Sequence, residues 1–217
     1  EKWFINKYEW DAIMALWWAF TPYDNSAYNA CISALYQQKR LLELNEIWWK
    51  RGFSTIKVRI GLHAWEAIVW NIWSSWRKME FTALWDSVNL ASRLEWVNKF
   101  YWTYICASES IYEEVKDTFE FRYLDKIRVK WKSKPIKIYE LLWLKWEIKE
   151  EILNIKTLFE NALNLYNSRD FESAKNSFLD LIKLWDNPSK FYLEMSEFYI
   201  KNPPLAEWDG VSEMKGK

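Results

Sequence analysis

A chain of 217 residues, 50% hydrophobic and 28% charged, is long enough for one large domain or for an ordinary domain with an appendage. It is too apolar to stay disordered. Its 30 Lys+Arg against 30 Asp+Glu exclude a global pull toward nucleic acid or an anionic surface, so any phosphate binding has to be a local arrangement.

In chain order, Phe4–Tyr8 reads as a short strand, 9–11 as a turn and Ala12–Trp17 as a buried return strand. A helix is expected from Ala27 to Lys50, with Ser26 as its cap and Gly52 just past its end. Ile56–His63, Glu66–Ile72 and Lys78–Leu84 read as strands, and Asp86–Asn98 as a helix with Asp86 at its positive end. Tyr104–Ala107 is a strand, Ser108–Lys116 a helix, and Phe119–Val129 with Ile136–Leu142 a closing antiparallel pair. Strands and helices alternate without a long parallel run, which predicts an α+β sandwich. From Glu147 to Ile200 the pattern is helical throughout, with a turn at Ser168–Asp170, and the spacing resembles one tetratricopeptide-type repeat. One repeat cannot bury its own face, so this tail is expected to dock on the preceding domain or on a partner helix. Asn202-Pro203-Pro204 ends the last helix, and a polar tail follows.

The two cysteines, Cys31 and Cys106, have no metal-ligand or disulfide spacing, and His63 has no Cys or carboxylate partner at ligand spacing. All three are read as structural residues in a reducing compartment. No apolar run approaches the ~18–20 residues of a membrane span, and no signal peptide is visible. The expected location is the cytoplasm, with the full-length protein free or attached to a membrane through an upstream region.

One count is out of line. There are 18 Trp and 4 Gly, where average usage predicts roughly 15 Gly in a chain of this length. Trp65, Trp70, Trp73, Trp76, Trp85 and Trp131 punctuate strands and turns where a chain needs positive φ or close backbone approach. The pattern predicts that most of these Trp stand at glycine positions, and that Trp208 is a true tryptophan.

With glycine placed at the suspect positions, two signatures emerge. Lys7-Tyr8-Glu9-Trp10-Asp11-Ala12-Ile13-Met14-Ala15 becomes a strand–turn–strand around a Gly-Asp pair, and Phe81 through Arg93 becomes a longer one. Both resemble class III adenylate/guanylate cyclases of bacterial type, over about residues 1–143. The stretch Lys183–Val211 also resembles segments that follow such domains. The resemblance implies a ferredoxin-like, palm-type sandwich over residues 1–145, with a helical extension over 146–217.

The implied reaction is cyclisation of ATP to cyclic AMP, by attack of the ribose 3′-hydroxyl on the α-phosphorus with pyrophosphate leaving. Two Mg²⁺ or Mn²⁺ ions suit that chemistry, and paired Asp carboxylates suit those hard ions. By resemblance Asp11 is the second carboxylate of the pair, and the first belongs on a strand that would precede Glu1. Asn89 and Arg93 lie four apart on one helical face; the resemblance implies that Asn89 orients the ribose and that Arg93 meets charge on the transferred phosphorus. Lys7 and Thr82 match the positions that contact adenine, and Lys130 matches the lysine that reaches the terminal phosphates. The resemblance further implies a homodimer with shared active sites, an upstream sensor domain and no nucleic-acid partner. Two other readings compete: a degenerate cyclase-like module that binds nucleotide or a partner without turnover, and a scaffold centred on the helical tail. A diguanylate cyclase is disfavoured, since no Gly-Gly-Asp/Glu-Glu-Phe loop is present.

Overall fold

The structure is a computed structural model that describes residues 3–9, 12–17, 25–64, 69–74, 78–83, 86–128 and 135–213. For 3–9, 69–74, 78–83 and 86–87 it describes the backbone alone. Strands β1 (Trp3–Glu9) and β2 (Ala12–Trp17) form an antiparallel hairpin with a register shift between Ile5 and Lys7. Ala12 and Ile13 of β2 are exposed, so the expected burial of this strand begins only at Met14. The two-stranded ladder lies outside the main sheet and is covered on one side by the next helix. That helix, α1 (Ser26–Lys50), starts from Asn25; Ser26 is its first residue and not its cap. Its buried residues are all within Ala27–Leu35.

The chain then runs back along α1. Only β3 (Ile60–Leu62) joins a ladder, in place of the longer strand expected over 56–63. Residues 53–59 are held instead by α1 side chains: Asn45 Nδ2 donates to Ile56 O, Ile56 N donates to Asn45 Oδ1, and Gln38 Nε2 donates to Val58 O. Strands β4 (Val69–Ser74) and β5 (Lys78–Ala83) make a second antiparallel hairpin. They are followed by α2 (Asp86–Tyr101), β6 (Ile105–Ser108), α3 (Glu109–Val115), β7 (Phe119–Arg128) and β8 (Ile136–Leu144). Three helices then close the chain, α4 (Glu150–Asn167), α5 (Phe171–Lys183) and α6 (Ser189–Lys201), with a two-residue strand β9 (Ser212–Glu213) after them. The polar segment expected at the end therefore contains a strand.

The main sheet has the order β3-β6-β8-β7-β9, parallel at both ends and antiparallel between. Alternation along its strands feeds two cores on opposite faces. In β6, Ile105 and Ala107 join α1 and α3 on one face, and Cys106 joins α2 on the other. Burial pushes both buried cysteine thiols upward, so neither is poised as a nucleophile. The second face carries Leu90, Leu94, Val97 and Tyr101 of α2, Leu124, Ile127 and Ile138 of the sheet, and Phe159, Phe178 and Tyr192 of α4–α6 in one continuous cluster. The helical tail is docked on the sheet and on α2, as expected of a unit too small to bury its own face.

Four helices end in the same way. The sixth residue bonds back to the first carbonyl and the residue between sits in the left-handed region. After α1 that residue is Gly52, with φ 80°. After α2, α4 and α5 it is Trp102 (φ 51°), Arg169 (φ 66°) and Trp185 (φ 64°). Two tryptophans outside the six singled out from the sequence, Trp102 and Trp185, thus occupy backbone that favours glycine. Trp17 buries an indole N–H that finds no hydrogen-bond partner among the described residues. Trp65, Trp76, Trp85 and Trp131 lie outside the described residues, and Trp70 and Trp73 are described by backbone alone.

Candidate active site

Helix α2 carries two of the expected site residues. Asn89 is exposed and Arg93 half-buried, one turn apart on the flank of the apolar stripe formed by Leu90, Leu94 and Val97. The helix is fixed against β3 by backbone-to-backbone approach at Gly61. A Cβ there would lie 2.1 Å from Ala91 O and 2.4 Å from Glu95 N. Gly61 therefore seats the very turn that bears Asn89 and Arg93, and no larger residue fits without moving it. The sequence signal for it was present but faint: it is one of only 4 Gly.

Polar contacts reinforce the seat. Asn98, fully buried, donates to Ile60 O at 3.0 Å and Leu94 O at 3.0 Å, and accepts from Thr103 Oγ1 at 2.6 Å. Arg59 Nε donates to Glu95 Oε1 at 2.8 Å. At the other end of α2, Tyr101 OH donates to Asp125 Oδ2 of β7 at 2.5 Å.

Lys7 lies on β1, opposite Met14, and Thr82 on β5, opposite Trp70. The ladder's register shift falls between Ile5 and Lys7. β1 and β5 approach one another, so the two positions expected to contact adenine lie on neighbouring strands. Asp11 and Lys130 lie outside the described residues. Among the described residues no group of three or more His, Cys, Asp or Glu could hold a metal ion, and no helix is long and apolar enough to cross a membrane. His63 is tied to Ser108 and Ser110 through Nδ1, at 2.8 and 3.3 Å.

The mixed α+β architecture, with its curled sheet and α2 packed against it, matches the fold of class III nucleotide cyclase catalytic domains, and adenylate cyclase homologues support that reading. The chain is 33% identical over 138 residues to adenylate cyclase 1 of Rhizobium meliloti, covering 64% of this chain and 21% of that protein. It is 32% identical over 211 residues to the terminal-differentiation-specific adenylate cyclase of Dictyostelium discoideum, covering 94% of this chain and 10% of that protein. The chain thus spans a minor part of the relatives it matches. Among solved structures, the adenylyl cyclase CyaB from P. aeruginosa matches with a TM-score of 0.57 at 26% identity, over 67% of this chain and 74% of that one. The guanylyl cyclase Cya2 matches in fold with a TM-score of 0.59 at 22% identity, over 68% and 73%. No family model matches the chain.

Proposed function

We propose that the chain is the catalytic part of an adenylate cyclase, converting ATP to 3′,5′-cyclic AMP and pyrophosphate. In that reaction the ribose O3′ loses its proton and bonds to the α-phosphorus as the α–β bridging bond breaks. The observation that carries the reading is α2: a rigidly seated helix presenting Asn89 and Arg93 one turn apart, in a chain a third identical to adenylate cyclases. Asn89 would orient the ribose, and the Arg93 guanidinium would meet the charge that grows on the phosphorus. Lys7 and Thr82 would select adenine, and Lys130 would hold the terminal phosphates. Asp11 would supply one hard oxygen ligand for Mg²⁺ or Mn²⁺, which when bound would acidify the 3′-hydroxyl and neutralise the polyphosphate. Its partner carboxylate would come from an upstream strand. The shared sites of a homodimer and control by an upstream sensor belong to the same reading, as does a division into a catalytic domain over 1–145 and a tetratricopeptide-like extension over 146–217.

The test is cyclic AMP formation by the full-length protein with MgATP and MnATP, in a dimer verified by light scattering. Asn89→Ala and Arg93→Ala should each lower kcat about 10²–10³-fold with smaller effects on KM, since both act on the transition state. A verified dimer that makes no cyclic AMP rejects the enzyme and favours a nucleotide-binding module.

A further inference from the structure

Strand β7 carries a bulge between Tyr123 and Asp125. A bulge places two consecutive residues on one face, and here both Leu124 and Asp125 turn toward α2 and the helical tail. Asp125 is 5% exposed and Tyr101 is fully buried. The Asp125 carboxylate accepts from Tyr101 OH of α2 and from Lys126 N. It is also within reach of the hydroxyls of Tyr192 in α6 and Ser212 in β9. Tyr192 OH donates to Leu124 O at 2.6 Å, and its ring lies 6.2 Å from that of Tyr101. β9 continues the closure by pairing Ser212 and Glu213 with Ile127 and Arg128, the last described residues before Lys130.

A second polar group lies beside the first. Arg122, 5% exposed, forks between Glu140 of β8 and Asp186 of the α5–α6 turn, with its guanidinium 4.8 Å from the Phe159 ring. Asp186 in turn accepts from Ser189 Oγ. Buried charges with this many partners are costly to misplace. The tail is therefore held in one position relative to both α2 and β7.

We propose that α6 and β9 are positioning elements of the catalytic site, acting through Asp125 and Tyr101 to hold α2, and with it Asn89 and Arg93, in place. This rests on the cyclase reading for its consequence and on the buried contacts for its mechanism. Alignment with the Dictyostelium cyclase over 94% of this chain, which has to include most of the tail, supports treating the two parts as one working unit.

The experiment is amide hydrogen exchange on the full chain, together with affinity for a fluorescent ATP analogue. Tyr101→Phe, Ser212→Ala and Asp186→Asn are compared with Ala174→Gly, a buried α5 change outside this polar cluster that destabilises without touching it. The three cluster variants should speed exchange in 86–101 about ten-fold and weaken the analogue several-fold, while Ala174→Gly at matched stability should do neither. Changes confined to 184–213, or the same pattern from Ala174→Gly, overturn the proposal. If the unmodified chain binds no adenine nucleotide the cyclase reading falls, and the exchange pattern still decides whether the tail holds α2.

A second inference stands on the backbone alone. Trp102 and Trp185 take left-handed conformations in the same helix-ending motif that Gly52 serves, and Trp185 is 90% exposed, with no packing to repay its strain. Trp208 is the opposite. Its ring packs on Tyr166, Phe171 and Tyr199, and its Nε1 donates to Tyr199 OH. We infer that positions 102 and 185 are glycine in the protein its source makes, from a codon read there as Gly, while position 208 is tryptophan. Peptide mass spectrometry of the native protein should find Gly at 102 and 185 and Trp at 208; Trp at 102 or 185 overturns it.

Discussion

The left-handed positions give an internally controlled test. Trp185→Gly removes a side chain that is 90% exposed, so little burial is lost. The relief of left-handed strain is about 1–2 kcal/mol for a non-glycine residue. The added freedom of glycine in the unfolded chain returns about 0.5–1 kcal/mol of that. A net gain of about 0.5–1 kcal/mol remains, or roughly 1–4 °C in Tm at this chain length. Trp185→Ala keeps the strained backbone and removes the indole, so it should gain nothing. Arg169→Gly has the same backbone and the opposite sign. Arg169 Nη2 donates to the carbonyls of Leu205, Ala206 and Trp208, and its guanidinium lies 5.5 Å from the Trp208 ring. Losing those contacts should cost about 1–3 kcal/mol and outweigh the relief. Thermal and urea denaturation of the three variants measure these differences. If Trp185→Ala stabilises as much as Trp185→Gly, the gain comes from deleting an indole, and the backbone argument fails.

Gly61→Ala should destabilise by about 1–3 kcal/mol or more, since its Cβ would drive into Ala91 O and Glu95 N. A variant of unchanged denaturation midpoint would show that α2 is not seated as described. Asp186→Ala strips Arg122 of one carboxylate in a buried setting and should cost about 3–5 kcal/mol, read as a loss in urea midpoint; Arg40→Ala, in an exposed pair with Glu43, should stay within about 0.5 kcal/mol. Burial raises the Asp125 carboxyl to about 6, outweighing the hydrogen bonds it accepts from Tyr101 OH and Lys126 N. Folding therefore favours its protonated form: that contribution, about 2–3 kcal/mol, is whole below pH ~4 and is lost as pH rises through about 6. The difference in stability between the native chain and Asp125→Asn should change across that window and be flat above pH ~7.

Much of the architecture could be read from periodicity. The helix expected at 86–98 is observed at Asp86–Tyr101, and the closing strand pair is observed within a few residues of its expected bounds. The misses have physical causes. Residues 56–59 alternate like a strand, but Asn45 and Gln38 satisfy their backbone in place of a neighbouring strand. β9 is two residues long and polar, and only the exposed edge of β7 makes it a strand. In the site, the spacing of Asn89 and Arg93 was legible because a helix repeats every 3.6 residues. Gly61 was not, because its role is set by a helix some thirty residues on. Asp125 was hidden by the bulge, which breaks the alternation that would have assigned its face.

That bulge also explains why the tail belongs with the sheet. Without it, Asp125 would face α1 and α3, in the apolar core formed by Phe119, Phe121 and Leu141, where no hydroxyl among its present partners could reach it. With it, the carboxylate meets α2, α6 and β9 at one point, and Leu124 and Ile127 still fill the core behind. The same face holds Phe159, Phe178 and Tyr192, all at most 1% exposed. Stripping α4–α6 away would bare these partners' contacts on Tyr101, Leu124 and Ile138 as one apolar patch, the kind that folded monomers avoid. Helix α2, which carries Asn89 and Arg93, packs its Tyr101 against Phe191 and Tyr192 of α6, far downstream in the chain. Substitutions in the tail should consequently be felt at α2 before they are felt at α1, whose packing lies on the other side of the sheet.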